Sequence, residues 1–141
     1  MTKIQALAKY LELSDTEEED IEQVDYMKSG YSYGDKEYLV LTDKEADEQV
    51  AEYIKDSIWS FNASYILEEC NLDNGLEEAI QAYQQKECEG ANDSLLSLVE
   101  KLCGLEQFIE DAIGADGRGH FLAGYDGGEI EEGEYYIYRT N

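Results

Sequence analysis

The side chains best suited to acid–base chemistry lie in the segment DGRGHFLAGYD, residues 116–126. His120 is the only histidine of the chain. The polar and charged residues around it are Asp116, Arg118, Tyr125 and Asp126. Such a set contains a general base, a cation that can bind an anion and a carboxylate that can orient an imidazole. A single histidine among glycines is more often a packing or turn residue, so the segment supports an enzyme only as an alternative hypothesis.

The sequence lacks the patterns of metal and nucleotide sites. A single histidine without a CxxC pair does not fit a zinc site. The segment NLDNGLEE places Leu76 where a calcium-binding EF-hand loop requires glycine. GRG and YDGG match no phosphate-binding loop, and no serine or cysteine lies in a nucleophile motif. We therefore predict a protein that is not an enzyme and needs no metal and no cofactor.

Carboxylates form a stronger pattern. The stretch SDTEEEDIEQVDY, residues 14–26, holds seven of them and no basic residue. A second row, on a helix predicted from residue 43, is spaced by three, four and four residues: Glu45, Glu48, Glu52 and Asp56. In an α-helix this spacing sets successive carboxylates about 5–6 Å apart along one face. Such a face is ordinarily only solvated, but a row of charges at this pitch is also similar to the phosphates of a nucleic acid.

The charge of the whole chain favours the second interpretation. The 141 residues include 34 acidic and 10 basic side chains, which gives a formal net charge of −24. Self-repulsion of this size lowers stability and disfavours direct binding to DNA, RNA or an anionic membrane. We therefore predict a basic macromolecular partner. The residues predicted to bind it are Asp15, Glu17, Glu18, Glu19, Asp20, Glu22, Glu45, Glu48, Glu52 and Asp56.

The first acidic stretch should be positioned by a helix before it and a hairpin after it. Apolar residues at helical spacing predict a helix over residues 3–13. Ser14 and Glu17 have the spacing of a capping box, which would begin a short acidic turn. Val24 and Tyr26 alternate as in a strand, SGYSYGDK is typical of a turn, and EYLVLT is typical of a buried strand. Together these patterns predict an N-terminal hairpin.

Helices are predicted for the middle of the chain. Thr42 or Asp43 can cap a helix that continues to about residue 61. Its apolar stripe consists of Ala46, Val50, Tyr53 or Ile54, Ile58 and Phe61. Further helices are predicted over residues 63–70, over residues 76–88 and over residues 95–113, the last with a break at Gly104.

The C-terminal segment is rich in glycine and then in tyrosine. We predict strands around Phe121, Ile130 and Tyr136, with turns at YDGG and EEG. The predicted fold class is α+β: a helix-rich middle with an N-terminal hairpin and a C-terminal β-hairpin or small antiparallel sheet. The length and the absence of proline or a linker predict a single domain over residues 1–141.

The cysteines and the N-terminus bear on localisation. Cys70, Cys88 and Cys103 are odd in number and form no CxxC pair, which favours buried free thiols in a reducing compartment. The N-terminal sequence MTKIQALAKYLEL lacks the continuous apolar core of a signal peptide, and no segment is apolar enough for a membrane span. We therefore predict a cytoplasmic protein.

Three segments of the sequence resemble a known group of proteins. EYLVLTDKEADEQVAEYIKDSIWSFNASYI, DGRGHFLAGYDGGE and YYIYRTN look like recurrent segments of small acidic proteins that bacteriophages and prophages encode, most of them without assigned function. The resemblance covers roughly half of the chain and transfers no catalytic residue. In charge and size, but without a shared motif, the chain is also similar to phage-encoded DNA-mimic inhibitors of restriction enzymes and CRISPR effectors.

These patterns lead to one main hypothesis. The protein would be a phage-encoded acidic inhibitor that occupies the basic nucleic-acid channel of a host defence nuclease, such as a CRISPR effector or a restriction enzyme, in the host cell cytoplasm. One alternative is a small enzyme or nucleotide-binding protein built around Arg118, His120 and Asp126. The other is a phage morphogenesis or regulatory protein whose acidic residues only maintain solubility.

Overall fold

The computed structural model describes residues 1–141 and has an α+β fold, which confirms the predicted fold class. In chain order the elements are α1 (Lys3–Tyr10), α2 (Asp15–Glu18), β1 (Glu22–Gln23), β2 (Gly30–Tyr33), β3 (Lys36–Thr42), α3 (Asp43–Ser57), α4 (Ala63–Glu69), α5 (Glu77–Glu87), α6 (Asn92–Leu102), α7 (Leu105–Asp116), α8 (Arg118–Leu122), β4 (Ile130–Glu132) and β5 (Tyr135–Arg139). The chain forms two compact units, residues 1–50 with 116–141 and residues 51–115. The single-domain organisation stays a prediction.

The first unit contains an antiparallel five-stranded sheet with the order β1-β2-β3-β5-β4. Both terminal regions form a hairpin: β2 and β3 are joined by a two-residue turn after Tyr33, and β4 and β5 by a two-residue turn after Glu132, but the first strand of the N-terminal hairpin is β2 and not the predicted strand at Val24 and Tyr26. Pairing of β3 with β5, with Val40 opposite Ile137, joins the N-terminal and C-terminal hairpins into one sheet. The two ends of the chain therefore fold together.

Helix α1 covers one face of this sheet. Alternate residues of β3 and β5 point to the same face, because side chains alternate along a strand. Leu7 of α1 is fully buried in one cluster with Tyr38, Val40 and Ile137. Ile21, which follows α2, is buried in the same cluster and so anchors the acidic stretch to the core. On the other face of the sheet Leu41 and Tyr138 are fully buried, and β5 contacts α8.

The second unit is helical. Its core is built from the apolar faces of α4, α6 and α7 and from the end of α3. The aromatic rings of Phe61, Tyr65 and Phe108 lie 5.5–6.4 Å apart, centroid to centroid, at tilted or edge-on angles that suit aromatic pairs. Helix α5 differs from its neighbours because it buries none of its residues.

Most of the predicted helices are present with shifted ends. Helix α1 stops at Tyr10 and α3 stops at Ser57, followed by a 3₁₀ turn over Ile58–Ser60. The predicted break at Gly104 separates α6 from α7, and this glycine has φ of +79°. Of the two alternatives in the apolar stripe of α3, Ile54 is buried and Tyr53 is exposed.

Two strand predictions and one turn prediction were wrong. Phe121 lies in helix α8, whose Gly119 and Leu122 are buried, so tertiary packing overrides the strand preference of the aromatic residue. The turn-like segment SGYSYGDK contains strand β2, and its turn is only Gly34 and Asp35. Tyr31 and Tyr33 of β2 pack against the core cluster under α1, which explains why this polar-looking segment is extended. Val24 and Tyr26 are outside any strand.

Candidate functional site

Most carboxylates of the protein have no cationic partner. Six of the 34 acidic side chains form ion pairs: Asp43, Glu45, Asp47, Glu48, Glu129 and Glu132. No acidic residue between residues 12 and 37 has a lysine or arginine within ion-pair distance. Negative charge is therefore left uncompensated along the whole first acidic stretch.

The acidic segment, Asp15–Glu22, is an ordered element. Ser14 caps α2: its hydroxyl accepts from the Glu17 amide at 3.3 Å, and the Glu17 carboxylate accepts from the Ser14 amide at 3.1 Å. This confirms the predicted capping box. The side chains of Asp15, Glu17, Glu19, Asp20 and Glu22 are exposed, and that of Glu18 is half-buried. Burial of Ile21 holds the segment against the core. The structure thus presents predicted partner-binding carboxylates on a fixed backbone.

Helix chemistry explains only part of this charge. Acidic residues in the first turn of a helix are favoured by its N-terminal dipole, which accounts for Asp15, Glu17 and Glu18. The C-cap Glu19 and the following Asp20 and Glu22 gain nothing from that dipole, and carboxylates at a helix C-terminus are disfavoured. Local structure therefore gives no reason for the second half of the segment.

Glu17 is the most constrained carboxylate of the segment. Hydrogen bonds from the backbone and side chain of Ser14 lower the pKa of Glu17, despite a small opposing effect of burial. The Tyr33 hydroxyl also donates to it at 3.4 Å. Glu17 is therefore ionised and also structural, so a test of partner binding should leave it in place.

The acidic row on α3 is shorter than the sequence suggests. Glu48, Glu52 and Asp56 are exposed, and only Glu48 has a cation nearby, Lys44 at 3.9 Å. Glu45 is half-buried and engaged elsewhere: its carboxylate accepts from Lys3 at 2.9 Å and from the Thr42 amide at 2.9 Å. The bond to Lys3 is the main cause that lowers the pKa of Glu45. Glu45 therefore stabilises the start of α3, and the exposed row consists of the other three residues.

The candidate enzyme segment is held by structural contacts. The Arg118 guanidinium donates to Glu129 at 2.9 Å and to Asp43 at 2.9 Å, lies 3.2 Å from Asp47, and stacks 4.5 Å from the Tyr136 ring. Burial alone would lower the pKa of Arg118, but its hydrogen bonds to Glu129 and Asp43 raise it overall. The Tyr138 hydroxyl completes the cluster with a 2.5 Å bond to Glu129. The guanidinium of Arg118 is thus already paired with three carboxylates and is not free to bind an anion.

The other residues of this segment are also accounted for locally. Asp126 accepts from the Gly128 amide at 2.9 Å, which is a turn contact. Tyr125 stacks with the Arg139 guanidinium at 3.5 Å. His120 is exposed and meets the ring of Phe121 edge-on. Asp116 ends α7 on the surface. The structure does not bring these residues together around a common point of chemistry.

Three further observations concern the predicted absences and the cysteines. No group of histidine, cysteine, aspartate or glutamate side chains is arranged to hold a metal ion. None of the helices has the length and apolar character that crossing a bilayer would require. The prediction of three buried thiols was wrong for Cys88, which is exposed beyond the end of α5. Cys70 is buried and Cys103 is half-buried.

Comparison with protein-family models, with curated proteins and with solved structures finds no match to this chain.

Proposed function

We propose that this protein is an acidic inhibitor that mimics nucleic acid and binds the basic nucleic-acid channel of a host defence nuclease, such as a CRISPR effector or a restriction enzyme. The observation that carries the proposal is the acidic segment Asp15–Glu22, whose exposed carboxylates have no cationic partner on an ordered backbone. A phage origin and action in the host cell cytoplasm belong to the same proposal and rest on the resemblance of the sequence.

The energetics of such an interface follow from the charge. Uncompensated like charges destabilise the free protein, and a partner rich in lysine and arginine relieves that repulsion on binding. A channel that binds nucleic acid carries these cations, and its contacts with phosphates release the counterions condensed on the nucleic acid. A dense set of carboxylates can engage the same cations and release its own counterions in the same way. Because the Ser14 cap and buried Ile21 fix the backbone of Asp15–Glu22, little backbone entropy is lost when its carboxylates bind.

The exposed row of α3 extends the proposal to a second element. Glu48, Glu52 and Asp56 follow one another by four residues, so one helix face presents three carboxylates. Glu45 is excluded from the proposed contact set, because its bonds to Lys3 and Thr42 already satisfy it. The enzyme alternative gains no support from Arg118, which three carboxylates surround.

Neutralising the acidic segment is expected to weaken inhibition without unfolding the protein. The variant Asp15→Asn, Glu18→Gln, Glu19→Gln, Asp20→Asn, Glu22→Gln keeps Glu17 and its capping box. Exposed ion pairs contribute roughly 0.2–1 kcal/mol each, so five lost contacts, about 1–5 kcal/mol together, should raise the concentration for half-inhibition at least about fivefold. The assay is DNA cleavage by a panel of purified CRISPR effector–guide complexes and restriction enzymes, with thermal melting of each variant as a folding check.

A matched variant controls for net charge. It removes five exposed carboxylates from the second unit by Glu-to-Gln substitution at Glu78, Glu87, Glu89, Glu106 and Glu110. Both variants lose the same formal charge, so long-range attraction is reduced equally. The control should inhibit within about threefold of the parent. Equal weakening by both variants would mean that only net charge matters, and full inhibition by the first variant would exclude the acidic segment as the interface.

A further inference from the structure

Two thiols of the second unit lie next to each other. The Sγ atoms of Cys70 and Cys103 are 2.9 Å apart, although 33 residues separate them in the sequence. Cys70 is the C-cap of α4 and Cys103 is the C-cap of α6, so the pair joins the C-terminal ends of two helices. The third cysteine, Cys88, is exposed beyond the end of α5, where its thiol approaches only the Gln85 carbonyl, at 3.5 Å.

We propose that Cys70 and Cys103 form a reversible disulfide, which makes this pair a site of oxidative modification. A disulfide bond is about 2.05 Å long, so the two sulfurs need to approach by a little under 1 Å, within the range of a small side-chain rotation. In a reducing compartment the pair remains as thiols, and an oxidant closes it.

The different burial of the two thiols sets the order of the reaction. Burial, together with the neighbouring Cys103 and Glu69, raises the pKa of the Cys70 thiol to about 12, so Cys70 is a poor first nucleophile. Cys103 is half-buried, so a small oxidant can reach it. With hydrogen peroxide as oxidant, the Cys103 thiolate takes one oxygen to become a sulfenic acid, and the O–O bond breaks to release water after protonation. The sulfur gives two electrons to the peroxide in this step.

The second step completes the bond. The Cys70 sulfur attacks the sulfenic sulfur of Cys103, the S–O bond breaks, and the hydroxyl leaves as water with the proton of Cys70. Overall, two thiols and one peroxide give one disulfide and two waters. Attack of an external thiol on the disulfide restores both thiols, so the modification is reversible.

The disulfide would stabilise the second unit. It would close a loop that contains α5, a helix that buries none of its residues. Closing a loop of this length removes conformational entropy from the unfolded chain. We therefore expect the oxidised protein to melt higher than the reduced protein, by about 5–15 °C.

The test uses the folded protein with Cys88→Ser, which leaves only the proposed pair. The protein is exposed to hydrogen peroxide, and free thiols are then alkylated after denaturation. We expect a mass lower by two hydrogen atoms, no alkylation, a cross-linked peptide that joins Cys70 to Cys103, and full reversal by dithiothreitol with the corresponding fall in melting temperature. Adding Cys103→Ser, at a half-buried position that tolerates the change, should abolish the cross-link and the peroxide-dependent rise in melting temperature.

Three results would overturn the proposal. Two alkyl groups on the peroxide-treated Cys88→Ser protein would show that the pair does not oxidise. Stable addition of two oxygens to Cys103 without a cross-link would show that Cys70 does not react with the sulfenic acid. In the parent protein, a disulfide that contains Cys88 in place of Cys103 would show that another pair is preferred. None of these results depends on the partner of the acidic segment.

Discussion

Replacing Gly119 by alanine is expected to lower the melting temperature by on the order of 10 °C, although alanine is the better helix former. A Cβ atom at this position of α8 would overlap the Gly127 carbonyl oxygen and would lie 2.9 Å from the carbonyl carbon of Gly128. These obstacles are backbone atoms, so no side chain can rotate away from the new methyl group. The loop would have to separate from the helix, and overpacking of this kind typically costs about 1–3 kcal/mol.

A second glycine provides the matched control. Gly114 lies in helix α7, and a Cβ atom there would meet nothing within 4 Å. Gly114→Ala should therefore leave the protein unchanged or stabilise it by up to about 1 kcal/mol. Both variants can be compared by thermal melting followed through circular dichroism. If Gly119→Ala melted with the parent, the close approach of α8 to the loop at Gly127 would be wrong, and with it the structural explanation of the glycines in DGRGH and YDGG.

Replacing Arg118 by methionine is expected to reduce the free energy of unfolding by about 2–4 kcal/mol. The Arg118 side chain is only 10% exposed and forms ion pairs with three carboxylates. Asp43 and Asp47 are 72% and 56% exposed and can be hydrated when the cation is lost. Glu129 is 32% exposed and is shared with Tyr138, so most of the loss comes from leaving this carboxylate without its cation. Urea unfolding at neutral pH measures the effect.

Two further variants compare the ion cluster of Arg118 with an ordinary exposed ion pair. Lys44→Met removes a pair whose lysine is 87% exposed and lies 3.9 Å from Glu48, so it should change stability by less than about 0.5 kcal/mol. Adding Glu129→Gln to Arg118→Met should recover part of the loss, because the uncompensated carboxylate is then absent. An Arg118→Met protein as stable as the parent would contradict the structural role of this arginine and would return it to the enzyme alternative.

Local patterns in the sequence correctly predicted the elements that depend on residues close together in the chain. The capping box at Ser14 and Glu17, the hairpin of β4 and β5, and the break at Gly104 each follow from residues within a few positions of one another. Strand β2 was missed because glycine, serine and tyrosine also make turns. Its tyrosines pack under α1, and this contact between distant residues cannot be predicted from the segment alone. Phe121 was misplaced for the same reason, since packing of its neighbours holds α8.

The roles of individual charges depended on contacts between distant residues. The sequence suggested Glu45 as a free carboxylate, but its carboxylate accepts a hydrogen bond from Lys3, which lies 42 residues away in the sequence. The sequence also suggested Arg118 as an anion binder, but its guanidinium donates to Asp43 of α3 and to Glu129. In contrast, the acidic segment Asp15–Glu22 contains no possible cation, and the structure brings none to it. A high local density of carboxylates therefore predicted unpaired negative charge better than the helical spacing of carboxylates did.

The central proposal, mimicry of nucleic acid, is tested most directly by competition for a nuclease that the protein inhibits. Labelled duplex DNA is bound to that nuclease, and its displacement by the protein is followed by fluorescence anisotropy at several DNA and salt concentrations. If the protein occupies the nucleic-acid channel, its apparent dissociation constant rises in proportion to the DNA concentration. The logarithm of its affinity then also falls linearly with the logarithm of salt concentration, as for a phosphate backbone. A stable complex of nuclease, DNA and protein together, or an affinity independent of salt, would contradict the proposal.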